Sequence, residues 1–381
     1  MNNLNILFIC RNIPVPGLRE NDIILRIAKS VKKIEGVSLS VWFPCEYLPK
    51  LPFAFKHRYD ILSNLPKSFL EGGVFVEKAS YFRLPTLKFS YLFIKSFLFL
   101  NRKLVKQAKK YNIIHAHYIL PDGKMGLYLK DRFGIPLVVT LRNGDLDKIN
   151  KLSKNSLMYR NYLEVIERAD EVIVHNYITE QWVLGRGRQC TKIPHGIDTS
   201  MVKGINYKKE ATILCVSSLI KRKNVDWVVN AFKKVKAENW KLKIIGDGAE
   251  ISKLKSLANK SDQIIFLGRQ TQKEVLAEMV KASIFVLPSE NETFGLVYLE
   301  AALSKCAIIG KSRTGIYGWL KEDEEALYVN SVSDLIIKFR TLIDNPILRE
   351  NIQEAGFIKV ENEFHWSKPI QQYISIYKDL I

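Results

Sequence analysis

Residues 282–310 read ASIFVLPSENETFGLVYLEAALSKCAIIG. Ile284 to Leu287 is a short apolar run stopped by Pro288, Phe294 to Leu303 reads as a helix whose first turn follows Gly295, and Ala307 to Gly310 is apolar again. That is one strand-helix-strand unit, the building block of a parallel sheet. Reading outward, the alternation recurs in strand candidates Thr212 to Val216, Leu242 to Ile245 and Gln263 to Leu267, separated by helical patterns over Val225 to Lys236 and Lys273 to Lys281. The first half repeats it: strands at Asn5 to Cys10, Val37 to Phe43, Asn112 to His117, Pro136 to Leu141 and Glu171 to His175 alternate with helical patterns at Asp22 to Ile34, Lys88 to Lys110, Gly123 to Phe133 and Leu157 to Arg168. Between the halves lies Pro194 to Tyr207, polar and without periodicity. The expectation is an α/β protein of two doubly wound domains, which suits 381 residues, too many for one hydrophobic core.

Composition narrows the function classes. With 47% hydrophobic and 25% charged residues the chain is globular, not disordered. The five cysteines, Cys10, Cys45, Cys190, Cys215 and Cys306, are odd in number with no CxxC pair, and read as core thiols of a reducing compartment. Asn2, Asn3 and Asn5 precede only a short apolar run, which argues against a signal peptide and for a cytoplasmic protein. The most apolar stretch, Phe89 to Leu100, is interrupted by Lys95 and falls short of the roughly 20 residues a spanning helix needs. The net charge of +19 is unevenly placed: residues 1–205 hold 32 basic and 17 acidic side chains, an excess of 15, and the remainder 26 against 22, an excess of 4. The first half is therefore the one suited to an anionic partner or membrane face. Nucleic acid is a poorer partner, since no recognised motif interleaves aromatic with basic residues.

In an open parallel sheet, ligands bind beyond the carboxyl ends of the strands, and the chemically unusual residues of the second half collect there. Ser217 to Asn224, including Lys221-Arg222-Lys223, follows one strand; Gly246-Asp247-Gly248 follows the next; Pro288 to Gly295 and Thr314-Gly315 follow two others. A helix starting at Gly295 offers free N–H groups and a positive dipole end to a diphosphate. Glu300, in its second turn, is placed to accept ribose hydroxyls, Glu292 to face the group beyond the distal phosphate, and Lys223 to neutralise charge on a leaving phosphate.

Together these segments resemble the retaining glycosyltransferases of the GT-B fold, family 4 (group 1). The family's Lys after the first strand of the C-terminal domain is matched by Lys223, its GDG turn by Gly246-Asp247-Gly248, and its E-x7-E motif by Glu292 to Glu300. In the first half, His115-Ala116-His117, Gly134 to Thr140, Ala169 to Val174 and Ile193 to Asp198 are similar to family segments, and Phe364-His365-Trp366-Ser367 resembles the start of a terminal helix that crosses back to the first domain. Departures are local. Ser217-Ser218 stands where the family has an Arg, with Arg222 nearby as its substitute. Arg142, in Thr140-Leu141-Arg142-Asn143-Gly144-Asp145, replaces a His, and His195 replaces an Asn. The loop Arg11 to Arg19 has Pro14, Pro16 and Gly17 in place of paired glycines.

The resemblance implies two Rossmann-like domains facing a cleft: residues 1–200 for the acceptor, 201–364 for the nucleotide-sugar donor, and 365–381 as the returning helix. It implies a metal-independent retaining hexosyltransferase with a UDP-sugar donor and no cofactor, consistent with the lack of a strong metal-ligand cluster or a DxD-type pair at a strand end. His117 and Glu292 are the implied catalytic residues. Ser218, Arg222, Lys223, Gly246, Asp247, Phe294, Gly295, Leu296 and Glu300 are implied for the donor, and Arg142, Asn143 and His195 for the acceptor cleft. The acceptor is a glycan or lipid-linked species of surface polysaccharide or lipopolysaccharide assembly, met at the inner membrane face. The alternative is a non-catalytic nucleotide-sugar or membrane-binding protein of the same fold.

Overall fold

The computed structural model describes residues 3–15, 22–47, 57–82, 92–202, 204 and 208–381. The chain forms two compact units, one comprising Met1–Val174, Trp182–Ile193 and Ile370–Ile381, the other His175–Gln181 and Pro194–Pro369. Residues 16–19 of the loop Arg11 to Arg19, 88–91 of the helical pattern Lys88 to Lys110, and 203 and 205–207 of the expected boundary lie outside the described residues.

In the first unit the strands are β1 (Leu4–Ile9), β2 (Val37–Tyr47), β3 (Ser68–Glu71), β4 (Val74–Phe82), β5 (Ile113–Ala116), β6 (Leu137–Thr140), β7 (Glu171–Val174) and β8 (Thr191–Lys192). Their order is β3-β4-β2-β1-β5-β6-β7-β8, parallel except for the antiparallel β3–β4 pair. Central strands such as β5 and β6 are buried along their whole length, as expected of a parallel sheet covered on both faces. The β3–β4 hairpin turns through Gly72 and Gly73, both at positive φ, where a side chain would be strained. The helical pattern expected from Lys88 to Lys110 is broken. Helices Leu92–Leu100 and Arg102–Gln107 meet at Asn101, whose amide donates to the carbonyls of Ser80 and Phe97 and accepts from the Ser80 N–H, tying the chain to β4. That local hydrogen bonding displaces helix continuation.

The second unit has β9 (Glu210–Val216), β10 (Lys241–Ile245), β11 (Ile264–Gly268), β12 (Ala282–Leu287), β13 (Ala307–Lys311) and β14 (Leu327–Val329), all parallel, in the order β11-β10-β9-β12-β13-β14. Its core includes Phe285, Tyr298, Phe339 and Phe364, each fully buried, and the Tyr298 hydroxyl donates to the Leu287 carbonyl. The terminal helix Ser367–Asp379 enters the first unit from Ile370 onward, with Tyr373 and Tyr377 buried there and the Tyr377 hydroxyl 2.6 Å from His115 Nδ1. These are two Rossmann-like α/β domains with a returning terminal helix. No helix among the described residues is long and apolar enough to cross a membrane.

Phe285 sits in the middle of β12 with no exposure and edge-on to Tyr298, at 5.7 Å between ring centroids. Phe285→Ala is expected to cost about 3–5 kcal/mol, read as a lowered urea midpoint of the second unit by tryptophan fluorescence.

Candidate functional site

In the second unit the chain runs from β9 outward through β10 and β11, then returns to β12 on the other side of β9. The strand order reverses between β9 and β12, and the loops leaving their carboxyl ends, from Ser217 and from Pro288, part to leave a crevice. Asn224 Nδ2 donates to the Pro288 carbonyl at 3.0 Å and the Glu290 N–H to the Arg222 carbonyl at 2.7 Å, which joins the two loops. The Glu292 N–H donates to Thr314 Oγ1 at 2.8 Å and the Gly315 N–H to the Glu292 carbonyl at 3.1 Å, which adds the loop after β13. Asn176 Nδ2 donates to the Thr293 carbonyl at 2.5 Å. The segment 288–295 is thus held from three sides.

At the centre, Lys223 Nζ forms an ion pair with Glu292 Oε2, both side chains largely buried, and Ser289 Oγ donates to the same carboxylate oxygen at 3.1 Å. A lysine taken from water and held by one carboxylate is ready to exchange that partner for a doubly charged diphosphate, which offers it more Coulombic energy. Gly295, at φ +80, caps the helix Leu296–Leu303 with no side-chain cap. The Tyr298 N–H of the first turn donates to the Gly295 carbonyl at 3.0 Å, and no side chain caps the turn's remaining N–H groups, which leaves its positive end open to an anion. A Cβ at Gly295 would lie 2.6 Å from the Tyr298 ring. Gly246, at φ +134, lets the turn after β10 pass against the Ser217 carbonyl, which a Cβ would meet at 1.8 Å.

In the first unit the order reverses between β1 and β5, and a charged cluster occupies that edge. Arg11 Nη2 pairs with Asp145 Oδ1 at 3.4 Å, the Arg11 N–H donates to Asp122 Oδ2 at 3.0 Å, and the Ile119 N–H to Asp145 Oδ2 at 3.2 Å. Both carboxylates are wholly buried. Burial pushes the Asp122 carboxyl up to about 7 against the pull of Arg11. The His117 ring has no exposure, lying 4.1 Å from the His115 ring and 4.4 Å from that of Phe8 between centroids.

The sequence matches the family described as glycosyltransferase family 4 over residues 34–201 and the family described as glycosyl transferases group 1 over residues 197–358. Each half of the chain thus matches a glycosyltransferase family. Among its relatives are an uncharacterized glycosyltransferase of Methanocaldococcus jannaschii, 28% identical over 73% of this chain and 78% of that one, and the N-acetyl-alpha-D-glucosaminyl L-malate synthase of Bacillus anthracis, 28% identical over 73% and 77%. Among solved structures, Anabaena HepE in complex with UDP superposes at a TM-score of 0.71 over 99% of this chain and all of that one, at 15% identity. The lipopolysaccharide outer core galactosyltransferase WaaB gives the same values. At such identity these two speak for the GT-B fold.

Within this glycosyltransferase the expected donor residues fall unequally. Lys223, Glu292 and Gly295 converge in the crevice. Phe294 is nearly fully buried against His195 and Trp319, at 5.2 and 6.0 Å between centroids, so only its backbone is available. Leu296 and Glu300 are half-buried on the following helix, with Glu300 Oε1 accepting from Gln272 Nε2 at 3.3 Å. Asp247 is exposed and accepts from the Gly248 N–H, serving its own turn. Arg222 and Ser218 are exposed on the loop rim. Asn224, the residue before the helix Val225–Val235, makes no side-chain capping bond and takes a left-handed backbone, and its amide donates to the Pro288 carbonyl. His195 is buried in the second unit, stacked 4.2 Å from His175 beneath Phe294. Arg142 and Asn143 lie in the first unit, at the start of the helix Asn143–Asn150. Sequence reasoning missed Ser289, Thr314 and Asn176 as supports of Glu292 and its loop. Single Ser, Thr and Asn residues carry no spacing signal, although Ser289 and Thr314 both stand in the strand-end loops already singled out.

Two outcomes follow from these geometries. Gly295→Ala is expected to lose donor binding and about 1–3 kcal/mol of stability, since it combines a strained backbone with a clash on Tyr298. Asp122 is protonated in the fold up to about pH 7 but ionises in the unfolded chain near 3.8, so its contribution to stability is full below pH 4 and lost as pH rises to 7. Urea midpoints measured from pH 4.5 to 7.5 should fall less steeply in Asp122→Asn than in the wild-type protein; equal slopes would contradict the assignment.

Proposed function

We propose that this glycosyltransferase transfers a hexose from a UDP-sugar, with retention of anomeric configuration, to a glycan or lipid-linked acceptor in the assembly of a cell-surface polysaccharide or lipopolysaccharide. The observation that carries the reading is the Lys223–Glu292 ion pair beside the open helix terminus at Gly295, where strand order reverses. A diphosphate laid across that terminus takes hydrogen bonds from the backbone at residues 294–296 and the charge of Lys223, freeing Glu292 for the sugar hydroxyls. Glu300 takes the ribose, and Ser218, Arg222, Gly246 and Asp247 form the rim. The bond from the anomeric carbon to the diphosphate oxygen breaks, a bond from that carbon to the acceptor oxygen forms on the same face, and the acceptor's proton passes to the departing phosphate. His117, expected as catalytic, has no exposure and is given no part in the transfer. Lys223 and the helix dipole stabilise the leaving group, and the reaction needs no bound metal on this reading.

UDP is favoured by the Anabaena HepE structures with UDP and UDP-glucose, and surface polymers by relatives such as the putative teichuronic acid glycosyltransferase TuaC of Bacillus subtilis. A membrane location is supported by residues 92–110, which carry six Lys or Arg and no acidic side chain, with Phe99 exposed beside them. Such a face suits an anionic lipid surface.

UDP at 100 times its dissociation constant should add about 2.7 kcal/mol to the stability of the second unit, read as a thermal shift. Lys223→Ala should lower kcat for UDP-sugar turnover by about 10²–10³. Turnover should survive EDTA, and NMR of the product should show the donor's anomeric configuration. Absence of any shift with UDP, or turnover lost in EDTA and restored by Mg²⁺, would overturn the donor-site reading or its metal independence respectively.

A further inference from the structure

At the carboxyl edge of the first unit's sheet two arginines share one set of carboxylates unequally. Arg11 has Asp145 at 3.4 Å and gives its N–H to Asp122. Arg142 has neither. Its side chain is only 7% exposed, its Nε donates to the His117 carbonyl at 3.1 Å, and neither Nη1 nor Nη2 has an acceptor among the described residues. The guanidinium lies 5.4 Å from the centroid of the Tyr118 ring, which Arg11 also covers at 4.4 Å. Asp145 acts on this guanidinium only through space, with no hydrogen bond between them, so a guanidinium drawn out of water keeps donors that a bound oxyanion can satisfy.

The surroundings are those of an anion site. Arg142 is the N-cap of the helix Asn143–Asn150 and leaves its first turn without a side-chain cap. The Asp145 N–H of that turn already donates to the Arg142 carbonyl at 2.9 Å, and the positive end of the helix adds its partial charge to the guanidinium's. Gly144, in the same turn, opens onto free space: a Cβ built there would meet no heavy atom within 4 Å. These groups follow β6, two strands from β1, on the edge where β1 and β5 also end.

We propose that Arg142 and the adjoining helix N-terminus form an oxyanion subsite, and that the acceptor carries a phosphate or carboxylate which the two unengaged guanidinium nitrogens bind. The proposal rests on the reading of the first unit as the acceptor domain. A planar guanidinium binds either oxyanion with two parallel hydrogen bonds, so Arg142 determines acceptor specificity, admitting charged acceptors over neutral ones.

Calorimetric titration of the intact protein saturated with UDP, using glucose 6-phosphate, glucuronate and glucose as probes, tests this. One charged probe should bind at least about tenfold more tightly than glucose, and Arg142→Gln should bring it to within about twofold of glucose with UDP affinity unchanged. Preference for glucose 6-phosphate identifies a phosphate-bearing acceptor, and preference for glucuronate an acidic sugar. Charged probes that bind wild-type protein no better than glucose, or an unaltered preference in Arg142→Gln, would overturn the proposal. If Arg142→Gln loses UDP binding and melts early, Arg142→Lys is the second variant: it keeps the charge without the fork, and its preference should shrink but persist, whereas an undiminished preference overturns the proposal. Failure of UDP to bind the wild-type protein would instead count against the donor reading, and the same probes titrated without UDP would still test Arg142.

Discussion

A parallel sheet delivers every strand-to-helix loop to one edge, and where its strand order reverses, two of those loops part. In the second unit this constraint brings Ser217 to Lys223 against Pro288 to Gly295, segments about seventy positions apart in the chain, and the Lys223–Glu292 ion pair closes the contact. Tertiary bonds from Asn224, Thr314 and Asn176 then hold the Glu292 loop in one conformation. That rigidity places a helix terminus, a lysine and a carboxylate within one crevice before any ligand arrives, and pre-placed charge is the most effective form of leaving-group stabilisation.

The two units use the same sheet geometry for different electrostatics. The second unit holds the Lys223–Glu292 ion pair at the ends of its central strands, with Gly246 and Gly295 in the neighbouring turns. The first ends its central strands in a buried cluster of two arginines and two aspartates, of which Asp122 has its carboxyl pushed up to about 7 by burial. Arg11 takes the direct contact with Asp145, and Arg142 is left without a hydrogen-bonded carboxylate.

The alternation of apolar runs and helical patterns made both sheets readable, since buried parallel strands such as β9 and β12 are continuous apolar runs whatever their neighbours. The E-x7-E segment was legible for the same reason: carboxylates on either side of a strand-to-helix turn have a fixed spacing. Other features were hidden. The β3–β4 hairpin carried a signal in Gly72-Gly73 flanked by Phe69, Leu70, Val74 and Val76, but lay in a half whose pattern was otherwise strand-helix-strand. The break at Asn101 depends on its bonds to Ser80 on β4, and Asn224 is an amide whose partner, Pro288, is remote in sequence. The unmatched state of Arg142 appears only once Asp145 and Asp122 are seen to face Arg11. Burial and long-range pairing are tertiary facts, and no local pattern encodes them.

Hydrogen–deuterium exchange of the whole chain with and without UDP tests the central claim most directly, because it reads the crevice between β9 and β12 without depending on the acceptor. Slower exchange on UDP binding over residues 217–224 and 292–300, with β14 and the helix Val332–Asp344 unchanged, is the expected result. Protection confined to the first unit, or spread evenly over both, would contradict the placement of the donor site.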